Sequence, residues 1–210
     1  HVALEDAARE IRETAAGTLG VVRVAVGFTL WPLVAEALIP RLHADRPAAT
    51  LDLNVMPVEE IVERLVQGGC DFGVSVLPQE LPSTLTAQRL LTDELVPIVR
   101  KDHPLTRGPL ELARLLEFPW VGVHSRRATY AAIVEAFNTQ GLAAPKYTVR
   151  TQSFEVAMST VERTDFIGFA PRWRARSRPS ALVPLDAAGI RWPRTVVVLQ
   201  RTHAELGPLA

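Results

Sequence analysis

The chain has 210 residues, 48% of them apolar, which is enough for one large domain or two small ones with a real core. Lysine plus arginine balance aspartate plus glutamate at 23 each, so no bulk positive field exists to hold a nucleic-acid backbone, and no apolar run of about 18 residues offers a membrane-spanning helix. The single cysteine, Cys70, excludes an internal disulfide framework and fits a reducing compartment; with no signal-type apolar region at the start, a cytoplasmic location is expected.

Residues 2–16 read as an exposed helix, with Leu4, Ala7, Ala8, Ile11 and Ala15 recurring every three to four positions and Gly17 stopping it. The stretch 20–47 then reads as a strand, a short turn and a helix. Val21, Val22, Val24 and Val26 form the apolar run of a strand covered on both faces, and Phe28, Thr29, Leu30 and Trp31 form the turn. Pro32 suits a first helical turn, and Leu33, Val34, Ala37, Leu38, Arg41 and Leu42 continue at helical spacing. Residues 50–55 predict a second strand. Residues 57–67 predict a helix ended by Gly68 and Gly69, and 70–76 a third strand closed by Pro78.

The second half repeats this order. WVGVHS is a strand and loop, ATYAAIVEAFNTQG a helix ended by Gly141, KYTVRTQ a strand, SFEVAMSTVERT a helix capped by Ser153, and DFIGFAP a short strand. Asp71-Phe72 and Asp165-Phe166 fall at corresponding points. Two βαβαβ units predict two similar α/β lobes with a cleft between them rather than one continuous sheet. Residues 90–100 would cross from the first lobe to the second and 194–201 would cross back. Residues 104–116 read as a turn and short helix, 173–184 as an Arg/Ser/Pro-rich surface segment, and RWRARSR, from Arg172 to Arg178, is the only basic run.

For catalysis the sequence offers little. It has no GxSxG, HExxH, GxxxxGK[ST] or helix-opening GxGxxG. The five histidines, His1, His43, His103, His124 and His203, show no metal-ligand spacing. Cys70 reads as a small buried thiol, and Glu59 and Glu60 as complements to a helix dipole. No enzyme activity, cofactor or metal is expected.

The strand-to-helix loops are more informative, because helix N-termini at the carboxyl edge of a sheet suit small anionic ligands. The first loop offers the Thr29 hydroxyl flanked by Phe28, Leu30 and Trp31. Its counterpart offers Ser125, Arg126 and Arg127, whose guanidinium groups can grip a carboxylate in bidentate fashion. The second pair of loops adds Met56 on one side, Gln152 and Ser153 on the other, with Phe169 as further apolar wall. Thr29 and Ser153 are equally helix-capping residue types, the two arginines equally solvated loop charges, and Phe28 and Trp31 equally core.

The strand VRVAV, the loop GFTLWP, the helix ending RLHADRP and the later QGGCDFGV, in that order, resemble the effector-binding domain of LysR-type transcriptional regulators. The resemblance continues around 90–105 and 161–173 and so covers nearly the whole chain. It implies two Rossmann-like lobes of the type II periplasmic-binding-protein kind, 18–92 plus 198–210 and 93–197, hinged by two crossing strands, with a small-molecule effector held between them. It also implies that 1–17 is the end of a linker helix from a winged helix-turn-helix, the only part that would touch DNA. A homodimer is implied too, the helix 33–44 of one copy against 129–140 of the other, and a tetramer for the full-length protein. Thr29 stands where the family commonly has a ligand-contacting serine or threonine. Two places depart from the common pattern: ERTDFIGF lacks a glycine-rich turn, and Met56-Pro57 replaces a small polar pair. A periplasmic solute-binding protein with its signal removed would share the fold; the N-terminal helix and single cysteine disfavour it.

Overall fold

The computed structural model describes residues 20–123, 127–177, 181–186 and 190–202, and the chain divides into two units, 1–91 with 195–210 and 92–194. In chain order the elements of the first half are β1 (Val21–Gly27), α1 (Trp31–Asp45), β2 (Thr50–Met56), α2 (Val58–Val66), β3 (Phe72–Val76) and β4 (Leu85–Arg100). After 3-10 turns at Pro104–Thr106 and Leu112–Glu117 come β5 (Trp120–Val123), α3 (Arg127–Asn138), β6 (Tyr147–Thr151), α4 (Phe154–Arg163) and β7 (Gly168–Pro171). The series ends with α5 (Arg172–Ser177), β8 (Leu182–Pro184) and β9 (Trp192–Arg201). The expectation for 1–17 falls outside the described residues.

In unit 1 the valine run of β1 takes the central place its composition demands, paired in parallel with β2 on one side and β3 on the other. β3 pairs antiparallel with β9, giving the order β2-β1-β3-β9. Because successive side chains alternate faces, Val22, Val24 and Val26 join Val74, Val196 and Leu30 under α1. Ala25, Val197 and Leu199 pack instead with Ile61 and Leu65 of α2. Gly73 makes this second packing feasible: a Cβ there would stand 2.4 Å from Ile61 Cγ2 and 3.0 Å from Leu65 Cδ1. α2 ends in a Schellman turn, with Gly68 at φ +75, its N–H bonded to the Leu65 carbonyl and that of Gly69 to Arg64 at 2.8 Å.

Unit 2 repeats the plan. β5 pairs in parallel with β6, and the Val121 N–H donates to the Ile167 carbonyl at 2.9 Å, joining this pair to the strand that continues as β7. β7 is antiparallel to β4, and β8 pairs with β4 as well. Trp120, Ile133, Phe137 and Ile167 build the core under α3. Val121, Phe154, Met158, Val161 and Ala170 build the one under α4. Gly168 admits α4 as Gly73 admits α2, a Cβ there falling 2.7 Å from Val161 Cγ2.

One expectation needs correction. The described residues of 173–184 are not a surface segment: α5 and β8 bury Ala175 and Leu182 in the α4-side core, and Arg174 is 7% exposed. The return into unit 1 falls at 194/195, at the start of the stretch 194–201 expected to cross back, and Val196 and Val197 belong to that unit's core. Asp71 and Asp165, alike in sequence position, differ in role. Asp71 is buried and accepts the Arg23 backbone N–H at 2.8 Å, whereas Asp165 is paired with the Arg100 guanidinium at 2.8 Å.

Candidate functional site

The register Gly27↔Met56 ends β1 and β2 side by side, so the Phe28–Trp31 turn and Met56 emerge together at the carboxyl edge of the unit-1 sheet. The turn is closed by the Leu30 N–H donating to the Gly27 carbonyl at 2.8 Å, and α1 begins with the Val34 N–H on the Leu30 carbonyl at 3.1 Å. Thr29 is 2% exposed. It is not the cap of α1, for Leu30 occupies that position and supplies no capping side chain. Leu30 and Met56, both expected as ligand wall, are deep in the α1-side and α2-side cores of unit 1. Phe28 and Trp31 remain half-buried, Trp31 resting on the α1-side core. At the middle of this loop, therefore, Thr29 is buried, and the aromatic residues on either side of it in sequence are half-buried.

In unit 2 the register Val123↔Thr151 ends β5 and β6 together in the same way. Ser125 and Arg126, which follow β5, lie outside the described residues, and Arg127 is the first residue of α3. Gln152 and Ser153 are exposed. Ser153 caps α4, its Oγ accepting the Val156 N–H at 3.3 Å. Phe169 is in mid-strand on β7, its ring tilted against Trp120 at 5.6 Å and Trp192 at 5.2 Å, and it belongs to the aromatic packing beneath α3. Alternation along a strand flanked by two tryptophans explains that placement; the sequence DFIGFAP alone does not.

The basic run also behaves differently from its sequence. Arg172 donates through Nε to Glu94 at 2.9 Å and through Nη2 to Asp186 at 2.6 Å, and these carboxylates, Asp186 foremost, raise its pKa. Arg174 pairs with Glu155 at 3.3 Å. Of this run, the charges of Arg172 and Arg174 are therefore met within the unit. Reactive chemistry is muted elsewhere too. Burial, with Asp71 adding to it, pushes the Cys70 thiol up to about 11, leaving almost no thiolate at neutral pH. Among the described residues no group of three or more His, Cys, Asp or Glu is placed to hold a metal ion, and no helix is long and apolar enough to cross a membrane.

The LysR substrate binding domain family matches residues 15–210, and the chain belongs to that family, the effector-binding part of LysR-type transcriptional regulators. It is 26% identical over 170 residues to the HTH-type transcriptional regulator GbpR of Azospirillum brasilense, covering 78% of this chain and 49% of that protein. It is 25% identical over 209 residues to the uncharacterised HTH-type regulator YdcI of Escherichia coli K12, covering 96% and 67%. The chain thus spans about half the length of GbpR. Among solved structures, the Synechocystis PCC6803 CcmR regulatory domain in complex with 2-PG superposes with a TM-score of 0.74 at 21% identity, covering 90% of this chain and 91% of that one. The effector-binding domain of QuiR in complex with shikimate gives 0.69 at 13%, covering 90% and 91%. The fold is accordingly the type II periplasmic-binding-protein-like fold of LysR regulatory domains, and the family is one of transcriptional regulators rather than enzymes.

Proposed function

We propose that the chain senses a small molecule carrying an acidic group on an aromatic or mixed apolar body, and that the Phe28–Trp31 turn is one wall of its site. The observation that carries this reading is Thr29, 2% exposed at a strand-to-helix edge and flanked by two half-buried rings. The N-terminus of α1 presents backbone N–H groups that suit an oxyanion, Thr29 positions that turn, and the half-buried Phe28 and Trp31 offer surface to an apolar body. Relatives of this fold hold 2-PG in CcmR and shikimate in QuiR, which supports a small-molecule ligand here. Ser125, Arg126 and Arg127 remain proposed partners for the acidic group, with Gln152 and Ser153 beside them. A thermal-shift screen of aromatic acids, amino acids and sugar phosphates identifies the ligand class, since a binder of the native state raises apparent stability.

In a full-length cytoplasmic regulator, ligand binding would shift the population of domain conformations and re-space subunits on DNA held by a separate winged helix-turn-helix. Self-association belongs to the same reading. Of the 15 residues of α1 only Pro32 is buried, and Ile39 is 48% exposed, so an apolar helix face is left over for a second copy. The expected contact is α1 of one copy against α3 of the other, made twice. A two-subunit mass by light scattering at about 50 μM, reduced to one subunit by Ile39→Glu, is the expected result; a monomer in the parent chain contradicts it.

A further inference from the structure

The carboxyl edge of unit 2 has a third exit besides the two loops already considered. β5 and β6 are parallel, and Ile167, leading into β7, pairs in parallel with Trp120 at the start of β5. The ends of all three strands, Val123, Thr151 and Pro171, therefore lie at one edge. The residue that leaves β7 is Arg172. The register Leu95↔Pro171 puts Glu94 of β4 opposite it, and the Arg172 Nε donates to Glu94 at 2.9 Å while its Nη2 donates to Asp186 at 2.6 Å.

The two carboxylates are unequal. The Arg172 side chain is 17% exposed, that of Glu94 36% and that of Asp186 72%. Glu94 comes from a strand fixed in register against β7, so it holds and aims the guanidinium from the Nε side. Asp186 follows Leu185, which is buried and whose N–H donates to the Pro97 carbonyl at 2.8 Å. The backbone is fixed there, and rotation of the Asp186 side chain alone moves its carboxylate into water. An ion pair with one partner mostly in water contributes little stability. A guanidinium already aimed and largely sheltered, by contrast, loses little freedom on taking another carboxylate or a phosphate.

We propose that Arg172 is a seat for the acidic group of the sensed molecule on unit 2, aimed by Glu94, and that Asp186 occupies this seat until the molecule's acid displaces it. The exchange is like for like, one anionic group leaving for water as another arrives. One such seat suits a single carboxylate, phosphate or sulfonate; holding a nucleic-acid backbone takes several at once. The proposal deepens the sensing reading and rests on it for its use.

The experiment follows the arginine side-chain Nε–H signals by NMR in the nitrogen-labelled parent chain and in Asp186→Ala, with Arg172→Lys giving the assignment. Asp186 is exposed, so its replacement leaves the fold standing. Benzoate and inorganic phosphate are the probes, each exchanged for chloride at constant ionic strength up to about 50 mM. With the seat emptied in Asp186→Ala, at least one probe shifts the Arg172 signal saturably. The same probe binds the parent chain at least about fivefold more weakly, because the internal carboxylate competes there. The signals of Arg100 and Arg194, held by Asp165 and Asp93, stay in place. No saturable Arg172 shift in Asp186→Ala, or equal affinity in that variant and the parent chain, overturns the seat. Equal movement of all three arginine signals marks an adventitious ion only and overturns it as well. The sensing reading is judged separately, by the ligand screen and by Thr29→Val in unit 1, so the seat and the sensor fail independently.

Discussion

Arg172 places its Nη2 2.6 Å from Asp186 Oδ1, so the most basic run in the sequence has its leading charge paired with a carboxylate. Counterion release from DNA needs arginines free to neutralise phosphate, and this one is already neutralised, with Glu94 on its Nε. Duplex DNA at micromolar chain and physiological salt is therefore expected to migrate unshifted in a gel. A retarded band would show that another basic surface operates.

Gly73 and Gly168 predict a paired stability effect. Each lies beneath a helix with no room for a methyl group: an added Cβ would fall 2.4 Å from Ile61 Cγ2 in one case and 2.7 Å from Val161 Cγ2 in the other. Overpacking of this kind costs about 1–3 kcal/mol. Gly73→Ala and Gly168→Ala should lower the urea midpoint accordingly. Gly69→Ala, whose added carbon would meet the Arg64 carbonyl at an ordinary 3.5 Å, should cost less. Equal midpoints for all three would contradict the packing described.

His103 gives a pH dependence with a defined sign. It is fully buried, its Nδ1 accepts the Leu105 N–H at 3.0 Å, and its Nε2 therefore carries the proton donated to the Asp165 carbonyl at 3.1 Å. Burial lowers its pKa from 6.5. The unfolded chain takes up a proton near 6.5 that the folded chain refuses, so this contribution is complete above that pH and is lost as pH falls through it toward the folded pKa. Stability measured by urea at pH 7.5 and 5.5 should fall more in the parent chain than in His103→Asn, by up to about 1.4 kcal/mol per pH unit. Parallel pH profiles would remove His103 from the account.

What could be read from sequence was what local chemistry dictates. Four valines in six residues made β1 a covered strand, the Gly68-Gly69 pair ended α2, and Ser153 capped α4. What escaped depended on partners distant in sequence. Nothing in RWRARSR announces Glu94, 78 residues away, and so a packed helix read as a solvated surface. The first third of β4 was hidden because its residues are largely exposed and polar, without the alternation that marks a half-buried strand. At the candidate site, position was legible and burial was not. Leu30 stands in the turn expected of it and Met56 ends β2, yet both spend their side chains on the core, and Phe169 answers to two tryptophans whose approach only the folded chain reveals.

The most direct test of the sensing claim is the dissociation constant, by calorimetry, of the best ligand from the screen for the parent chain, Thr29→Val and Thr29→Ser. Thr29 is buried, so loss of its hydroxyl is expected to cost about 1 kcal/mol of folding stability, and affinity rather than melting temperature is the readout. A hydrogen bond to a charged group is worth about 1.5–3 kcal/mol, so Thr29→Val should bind about ten- to a hundredfold more weakly while Thr29→Ser stays near the parent value. Equal affinity for the parent chain and a folded Thr29→Val would contradict the account and put the ligand away from this turn.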